Sequence, residues 1–236
     1  MIKTNSKKHL TIDVVIPAYN EEQSIGKVIS DLPKELVREI VVVSNNSTDN
    51  TEEVAAKAGA TVLVEKRKGY GAACLKGIEY LKNKEDRADI VLFIDGDYSD
   101  FPAEAINVVQ PILDGKAEMV IGSRALGKKE KGSMTIPQRF GNWLSTRLIK
   151  LIYKVKFTDL GPFRAITFDK LIEIDMKDQT FGWTCEMQVK AAKLKVKSVE
   201  VPVNYRKRIG VSKVSGTIKG AFMAGYKILW TIFKNL

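Results

Sequence analysis

Short runs of β-branched and aliphatic residues, at positions 12–16, 40–43, 61–64, 90–94 and 119–121, recur through the first half of the chain with longer amphipathic stretches between them. This alternation constrains the fold more than any other feature, because it is the pattern of βαβ units wound around a mainly parallel sheet. The intervening stretches, near 21–32, 49–58, 71–81 and 102–113, read as helices, with Ser47, Thr48 and Pro102 as start signals. In open sheets of this kind ligands sit outside the carboxyl ends of the strands. The loops after Ile16, Val43 and Ile94 are therefore expected to converge on one crevice. The second half carries a long basic, amphipathic segment at 138–156, a strand-like 163–168, a helix near 186–193 and a strand near 196–203. Repeats, low-complexity tracts and clear linkers are absent from the pattern.

Length and charge narrow the class. A chain of 236 residues with 44% hydrophobic content suits one α/β domain with a modest C-terminal extension. The net charge of +10 points to an anionic partner: nucleic acid, a membrane surface or a phosphorylated substrate. Cys74 and Cys185 lie in apolar or helix-like stretches without metal-ligand spacing, which argues against a disulfide framework and for a reducing cytoplasm. The apolar run behind Lys3, Lys7 and Lys8 stops at Pro17, so it reads as a buried strand, not a leader. No apolar stretch approaches the roughly 20 residues that span a bilayer, so membrane contact is expected to be peripheral.

Asp95 and Asp97 stand one residue apart at the end of the apolar run 90–94. In extended or turning backbone this spacing lets two hard oxygen ligands approach one Mg²⁺ or Mn²⁺ that also takes diphosphate oxygens. A polar turn after a strand gives the same pattern. Lys68-Gly69-Tyr70-Gly71 precedes a helix, where small residues let backbone amides approach an anion. Arg124, Arg139, Arg164, Arg208 and Lys213 are candidate partners for phosphate groups, with solvated surface charge as the alternative. Were the acceptor a hydroxyl, Glu186 or Asp159 would be candidates to remove its proton; an ionised phosphate acceptor needs no base. His9 lies outside every motif.

These elements occur in a fixed order with Val15-Ile16-Pro17-Ala18-Tyr19-Asn20-Glu21-Glu22, Ser47-Thr48-Asp49-Asn50-Thr51 and Gly122-Ser123-Arg124. Thr158-Asp159-Leu160-Gly161-Pro162-Phe163-Arg164-Ala165, Gly182-Trp183-Thr184-Cys185-Glu186-Met187 and Arg208-Ile209-Gly210-Val211-Ser212-Lys213 follow. Nearly the whole chain thereby resembles family two GT-A glycosyltransferases, of the type similar to dolichol-phosphate mannose and polyprenyl-phosphate glucose synthases but without their membrane spans. The resemblance implies a GT-A nucleotide-diphospho-sugar transferase fold, with a mainly parallel central sheet flanked by helices. It implies a nucleoside pocket lined by Pro17, Tyr19 and Glu21, acceptor phosphate near Arg124, Arg139 and Arg164, and Arg208, Ser212 and Lys213 on a segment over the diphosphate. Relatives usually carry Asp-Asp-Gly where this chain has Ser44-Asn45-Asn46; an amide at Asn45 still pairs with a base edge but offers donors as well as acceptors. Many also place glutamine where this chain has Ser99, followed by Asp100.

The activity expected is inverting, metal-dependent transfer of a hexose from a UDP- or GDP-sugar to a polyprenyl phosphate, with Asp95, Asp97, Arg124 and Glu186 as catalytic candidates. A hydroxyl acceptor is the rival reading, and a non-catalytic nucleotide-sugar or nucleic-acid binding module the rival of another class; Asp-x-Asp at a strand end and the lack of interleaved exposed aromatics argue against nucleic acid. Residues 1–215 read as the catalytic domain and 216–236 as an amphipathic helix whose apolar stripe holds Ile218, Phe222, Tyr226, Leu229, Phe233 and Leu236. That stripe suits an anionic membrane on the cytoplasmic side, the protein's own core or a second copy in a homo-oligomer.

Overall fold

The computed structural model describes residues 10–210 and 218–235. Seven strands form one sheet: β1 (Ile12–Ala18), β2 (Glu39–Ser44), β3 (Thr61–Val64), β4 (Ile90–Phe93), β5 (Met119–Ser123), β6 (Arg164–Thr167) and β7 (Ser198–Pro202), in the order β3-β2-β1-β4-β6-β5-β7. β1 is parallel to β2 and β4, β2 to β3, and β5 to β7. β6 is inserted antiparallel between β4 and β5. The fold is thus α/β with a mostly parallel sheet, as expected, and the five N-terminal strands fall where the apolar runs place them.

Helices cover both faces: α1 (Ile25–Asp31), α2 (Thr51–Lys57) and α4 (Ala105–Leu113) on one, α3 (Tyr70–Lys82), α5 (Ile136–Tyr153) and α7 (Trp183–Lys193) on the other. Alternate strand residues divide between two cores, as the pleat requires. Val14, Ile16, Val42 and Leu92 join Ile25, Val28, Ala55 and Val108. Val15, Val43 and Phe93 join Ala73, Cys74, Ile149 and Trp183. Short α6 (Phe168–Glu173) follows β6, and α8 (Ile218–Lys234) ends the described chain. α8 packs on α5 and α7 through Ile228 and Ile232, and Tyr153 Oη donates to Ile232 O at 2.8 Å.

α1 begins four residues later than its apolar period suggests. Ser24 N and Ile25 N both donate to Glu21 O, so 21–24 is a turn that leaves Glu21 at the strand end. None of the described helices is long and apolar enough to cross a membrane.

Candidate active site

The loops leaving β1, β2 and β4 meet in a cleft of about 300 Å³. Pro17, Tyr19, Glu21, Asn45, Lys68, Gly69, Asp95, Asp97 and Arg208, all singled out from sequence, line it. Tyr70, quoted within the 68–71 motif without a role of its own, lines it as well, and so does Phe181, which was not singled out. Ser212 and Lys213 lie outside the described residues.

The run 47–51 holds the first loop in place. Asn20, in the left-handed region at φ 55°, donates its N–H to Ser47 Oγ and accepts from Thr48 N. Glu21 N donates to Thr51 Oγ1, and Glu22 N to Asp49 Oδ2. The buried Glu21 carboxylate, pinned by Ser24 Oγ at 2.9 Å, therefore has a fixed position at the cleft wall.

Asn45 is oriented by three bonds. Its Nδ2 donates to Glu65 O and Arg67 O, at 2.9 and 2.7 Å, and its Oδ1 accepts from Gly69 N at 2.8 Å. Both donors are consumed, so the side chain can present only an acceptor lone pair to a ligand. Asn46, at φ 61°, occupies a left-handed position that asparagine tolerates and donates to Lys66 O.

The glycines at the start of α3 serve a close approach of backbone. Gly71 N and Ala72 N donate to Thr180 O and Gln179 O, and a Cβ on Gly71 would lie 2.0 Å from Asp178 O. The first amides of α3, expected to meet an anion, are thus capped by the 178–180 loop. That loop carries Phe181 to the cleft.

Asp95 and Asp97 follow β4. Asp95 Oδ1 accepts from Tyr70 Oη at 2.9 Å, and burial beside Asp97 pushes its carboxyl up to about 7. Asp97 Oδ1 accepts from Ser99 N and Ser99 Oγ, at 2.9 and 2.6 Å. Ser99 thereby fixes the carboxylate rather than facing the cleft itself. Asp97 Oδ2 sits 3.1 Å from Arg208 Nη2, which is also 3.1 Å from Glu21 Oε1. The buried Asp100 carboxyl has no hydrogen-bond partner among the described residues, and burial together with Asp95 holds it well above the usual carboxylate range.

This donor set fits a hard divalent cation: two carboxylates one residue apart, Asp95 steadied by Tyr70 and Asp97 by Ser99, with burial and Asp97 disfavouring the charged form of Asp95. Among the described residues no cluster of three metal-ligating side chains occurs, so a cation held here would have to draw its remaining ligands from diphosphate and water.

The expected acceptor residues separate. Arg164 is fully buried and donates to Gly161 O, Leu160 O and Thr184 O, with burial lowering its guanidinium to about 10; it clasps the 160–161 loop to α7 and is not available to an acceptor. Arg124 forms a bidentate pair with the buried Asp159, at 2.8 and 2.7 Å, and its N–H donates there too. Glu186, buried, accepts from Lys177 N and Asp178 N and pairs with Lys190. Both base candidates thus hold loops together. Arg139 is exposed on α5 and lines a second, larger cleft of about 490 Å³ with Lys129, Asn142, Trp143, Thr146, Arg147, Lys150, Lys156 and Thr158. None of its five cations forms an ion pair with a described residue; Arg147 stacks over Trp143 at 5.8 Å. Sequence singled out only Arg139, because lysines in a basic helix read as surface until a loop folds over them.

α5 and α8 together expose a row of large apolar side chains next to these cations, so the interleaved exposed aromatics that the sequence did not reveal are present, and only the Asp-x-Asp argument against nucleic acid stands. Ile136, Phe140, Trp143 and Leu151 protrude from α5, and Tyr226, Trp230 and Phe233 from α8, each more than half exposed. Of the expected α8 stripe, Tyr226 and Phe233 face outward, while Ile228 and Ile232 meet the core. The side chains of Ile218, Phe222 and Leu236 lie outside the described residues.

The model of the glycosyl transferase family 2 matches residues 13–175. Glycosyltransferase AglJ of Haloferax volcanii is 33% identical over 196 residues, covering 83% of this chain and 63% of that protein, so the chain spans under two thirds of its length. A dolichyl-phosphate hexose transferase of the same organism is 31% identical over 212 residues, covering 88% of each. Among solved structures, glucosyl-3-phosphoglycerate synthase of Mycobacterium tuberculosis, in complex with Mn²⁺, uridine diphosphate and glucosyl-3-phosphoglycerate, superposes with a TM-score of 0.71 at 22% identity, over 96% of this chain and 80% of that one.

Proposed function

The chain belongs to glycosyl transferase family 2 and is a glycosyltransferase of the GT-A fold, and from that premise we propose that it moves a hexose from a uridine diphosphate sugar to a polyprenyl phosphate at a membrane surface. One observation carries the acceptor reading: a cleft with five cations that pair with no described acid borders a row of exposed aromatic and aliphatic side chains. Phosphate head and apolar tail would each meet a surface of matching chemistry. The similar dolichyl-phosphate hexose transferase supports the same class. In this reading residues 1–215 are the catalytic unit and 216–236 the helix that shares the membrane face with α5.

The donor would lie in the first cleft, with its base against Tyr19 and Asn45 and its diphosphate toward Asp95, Asp97 and Arg208. An acceptor-only Asn45 suits the ring N–H of uracil and rejects cytosine, whose corresponding nitrogen carries no hydrogen. The fold neighbour that holds uridine diphosphate and Mn²⁺ is consistent with this. A divalent cation, Mg²⁺ or Mn²⁺ held by Asp95 and Asp97, would supply charge neutralisation to the departing diphosphate.

A phosphate oxygen of the acceptor attacks the anomeric carbon, the bond from that carbon to the diphosphate oxygen breaks, and its electron pair leaves with the nucleotide. One displacement inverts the anomeric centre. The attacking oxygen is already ionised, so the engagement of Glu186 and Asp159 in structural bonds costs this reaction nothing. Lys129, Arg139, Arg147, Lys150 and Lys156 would hold the acceptor phosphate and keep it ionised.

The test is incubation with UDP- and GDP-hexoses, Mn²⁺ or Mg²⁺, and two acceptors, polyprenyl phosphate in vesicles and 3-phosphoglycerate in solution, with products read by mass spectrometry. A glycosylated polyprenyl phosphate formed from a UDP-sugar is the expected product. Glycosylation of the soluble acceptor alone would overturn the lipid reading and leave the transferase.

A further inference from the structure

Asp97 has one oxygen to give a metal, and Arg208 holds it. Oδ1 already accepts two hydrogen bonds from Ser99, which leaves Oδ2, 3.1 Å from Arg208 Nη2. The same Nη2 reaches Glu21 Oε1 at 3.1 Å, so the guanidinium bridges the nucleoside side of the cleft to the carboxylate pair. Its neighbours fix it at that spot through backbone. Arg206 N donates to Ser99 O, Ile209 N donates to Asp97 O, and the Arg206 guanidinium stacks on Tyr98 and Phe101. Arg208 Nε is buried and makes no hydrogen bond among the described residues.

We propose that Arg208 is an exchangeable cation of the carboxylate pair, so that a divalent ion and the guanidinium compete for Asp97 Oδ2 and the metal enters efficiently only together with the nucleotide. The proposal rests on the metal reading given above. Two cations cannot share that oxygen at close range without strong mutual repulsion. A metal arriving alone must displace Arg208 and leave it facing new positive charge. A metal arriving with a diphosphate brings an anion to which the displaced guanidinium can turn, because its backbone stays pinned beside the cleft. Arg208 is thereby a positioning residue that couples the two ligands, and the coupling is reciprocal: nucleotide strengthens metal binding by the factor by which metal strengthens nucleotide binding.

The test is Mn²⁺ binding by calorimetry and by electron paramagnetic resonance, with and without uridine diphosphate, for the wild type, Arg208→Gln and Arg208→Lys. Without nucleotide, Arg208→Gln should bind Mn²⁺ about tenfold more tightly than the wild type, the order expected when one charge is removed from a part-buried site. The enhancement of Mn²⁺ affinity by uridine diphosphate should shrink in the same variant. Arg208→Lys keeps the charge and should stay near the wild type, which separates charge competition from loss of fold; thermal melting of both variants checks the latter. Equal Mn²⁺ affinity of wild type and Arg208→Gln in the absence of nucleotide would overturn the exchange while leaving the metal site standing. If wild type and Asp97→Asn are alike in failing to bind Mn²⁺ even with uridine diphosphate, the metal reading itself falls and the exchange with it.

Discussion

Arg124 and Arg139 look alike in sequence, and the structure gives them different partners. Arg124 is clamped by Asp159, which comes from a loop 35 residues away, whereas Arg139 stands in a cleft whose one lining acid, the same Asp159, is already engaged by Arg124. Spacing along the chain carries no information about such long-range pairing, so the charge was legible and its use was not. Arg124→Ala leaves a buried carboxylate unpaired and should cost about 3–5 kcal/mol, read as a lower urea midpoint. Arg139→Ala, on an exposed side chain, should leave that midpoint within about 0.5 kcal/mol and weaken only acceptor use. The placement of Asp95 and Asp97 was legible, because residues that follow a parallel strand fall at the crevice; a polar turn gives the same spacing, so their chemistry was not. Asp95→Asn or Asp97→Asn should leave a folded protein whose transfer rate falls by about 10²–10³-fold. Activity that survives excess chelator would contradict this.

The strands of the first half were legible because a buried run of four or five apolar residues between turns leaves little choice of structure. β6 was foreseen as a strand, but its antiparallel insertion was not. Direction is set by the return path of the chain through α5, and no period reports that. α6 was missed because six residues show too little of a helical repeat. The start of α3 teaches the opposite lesson: Lys68-Gly69-Tyr70-Gly71 has the composition of a phosphate loop, yet its small residues admit the 178–180 backbone. Gly71→Ala should accordingly destabilise the whole fold by about 1–3 kcal/mol, and not merely weaken nucleotide binding, since a methyl group at 2.0 Å from Asp178 O forces two main-chain segments apart. Thermal unfolding with and without uridine diphosphate separates the two: a stability defect that persists in both is expected.

At the scale of the whole molecule the charge of +10, which composition could not assign to one kind of partner, gathers in part beside a row of exposed apolar side chains. α5 and α8 turn Phe140, Trp143, Tyr226, Trp230 and Phe233 outward beside Arg139, Arg147, Lys150, Lys154 and Lys156. Inserted aromatic rings contribute about 1.5–3 kcal/mol each before discounting, and each basic residue near an anionic surface about 1 kcal/mol. The two contributions answer differently to salt, because charges are screened over about 10 Å at 0.1 M and the apolar term is not weakened by salt. Wild-type protein should therefore cosediment with anionic vesicles at low salt and lose part, not all, of that association at 0.5 M salt. Phe140→Ser with Trp230→Ser, both on half-exposed rings that leave the cores intact, should abolish the salt-resistant part. Lys150→Gln with Lys154→Gln, both exposed, should abolish much of the salt-sensitive part and spare the rest. Association that vanishes wholly with salt, or that the ring substitutions leave unchanged, would show that the rings do not enter the bilayer, and the apolar row would then have to be assigned to a second copy of the chain.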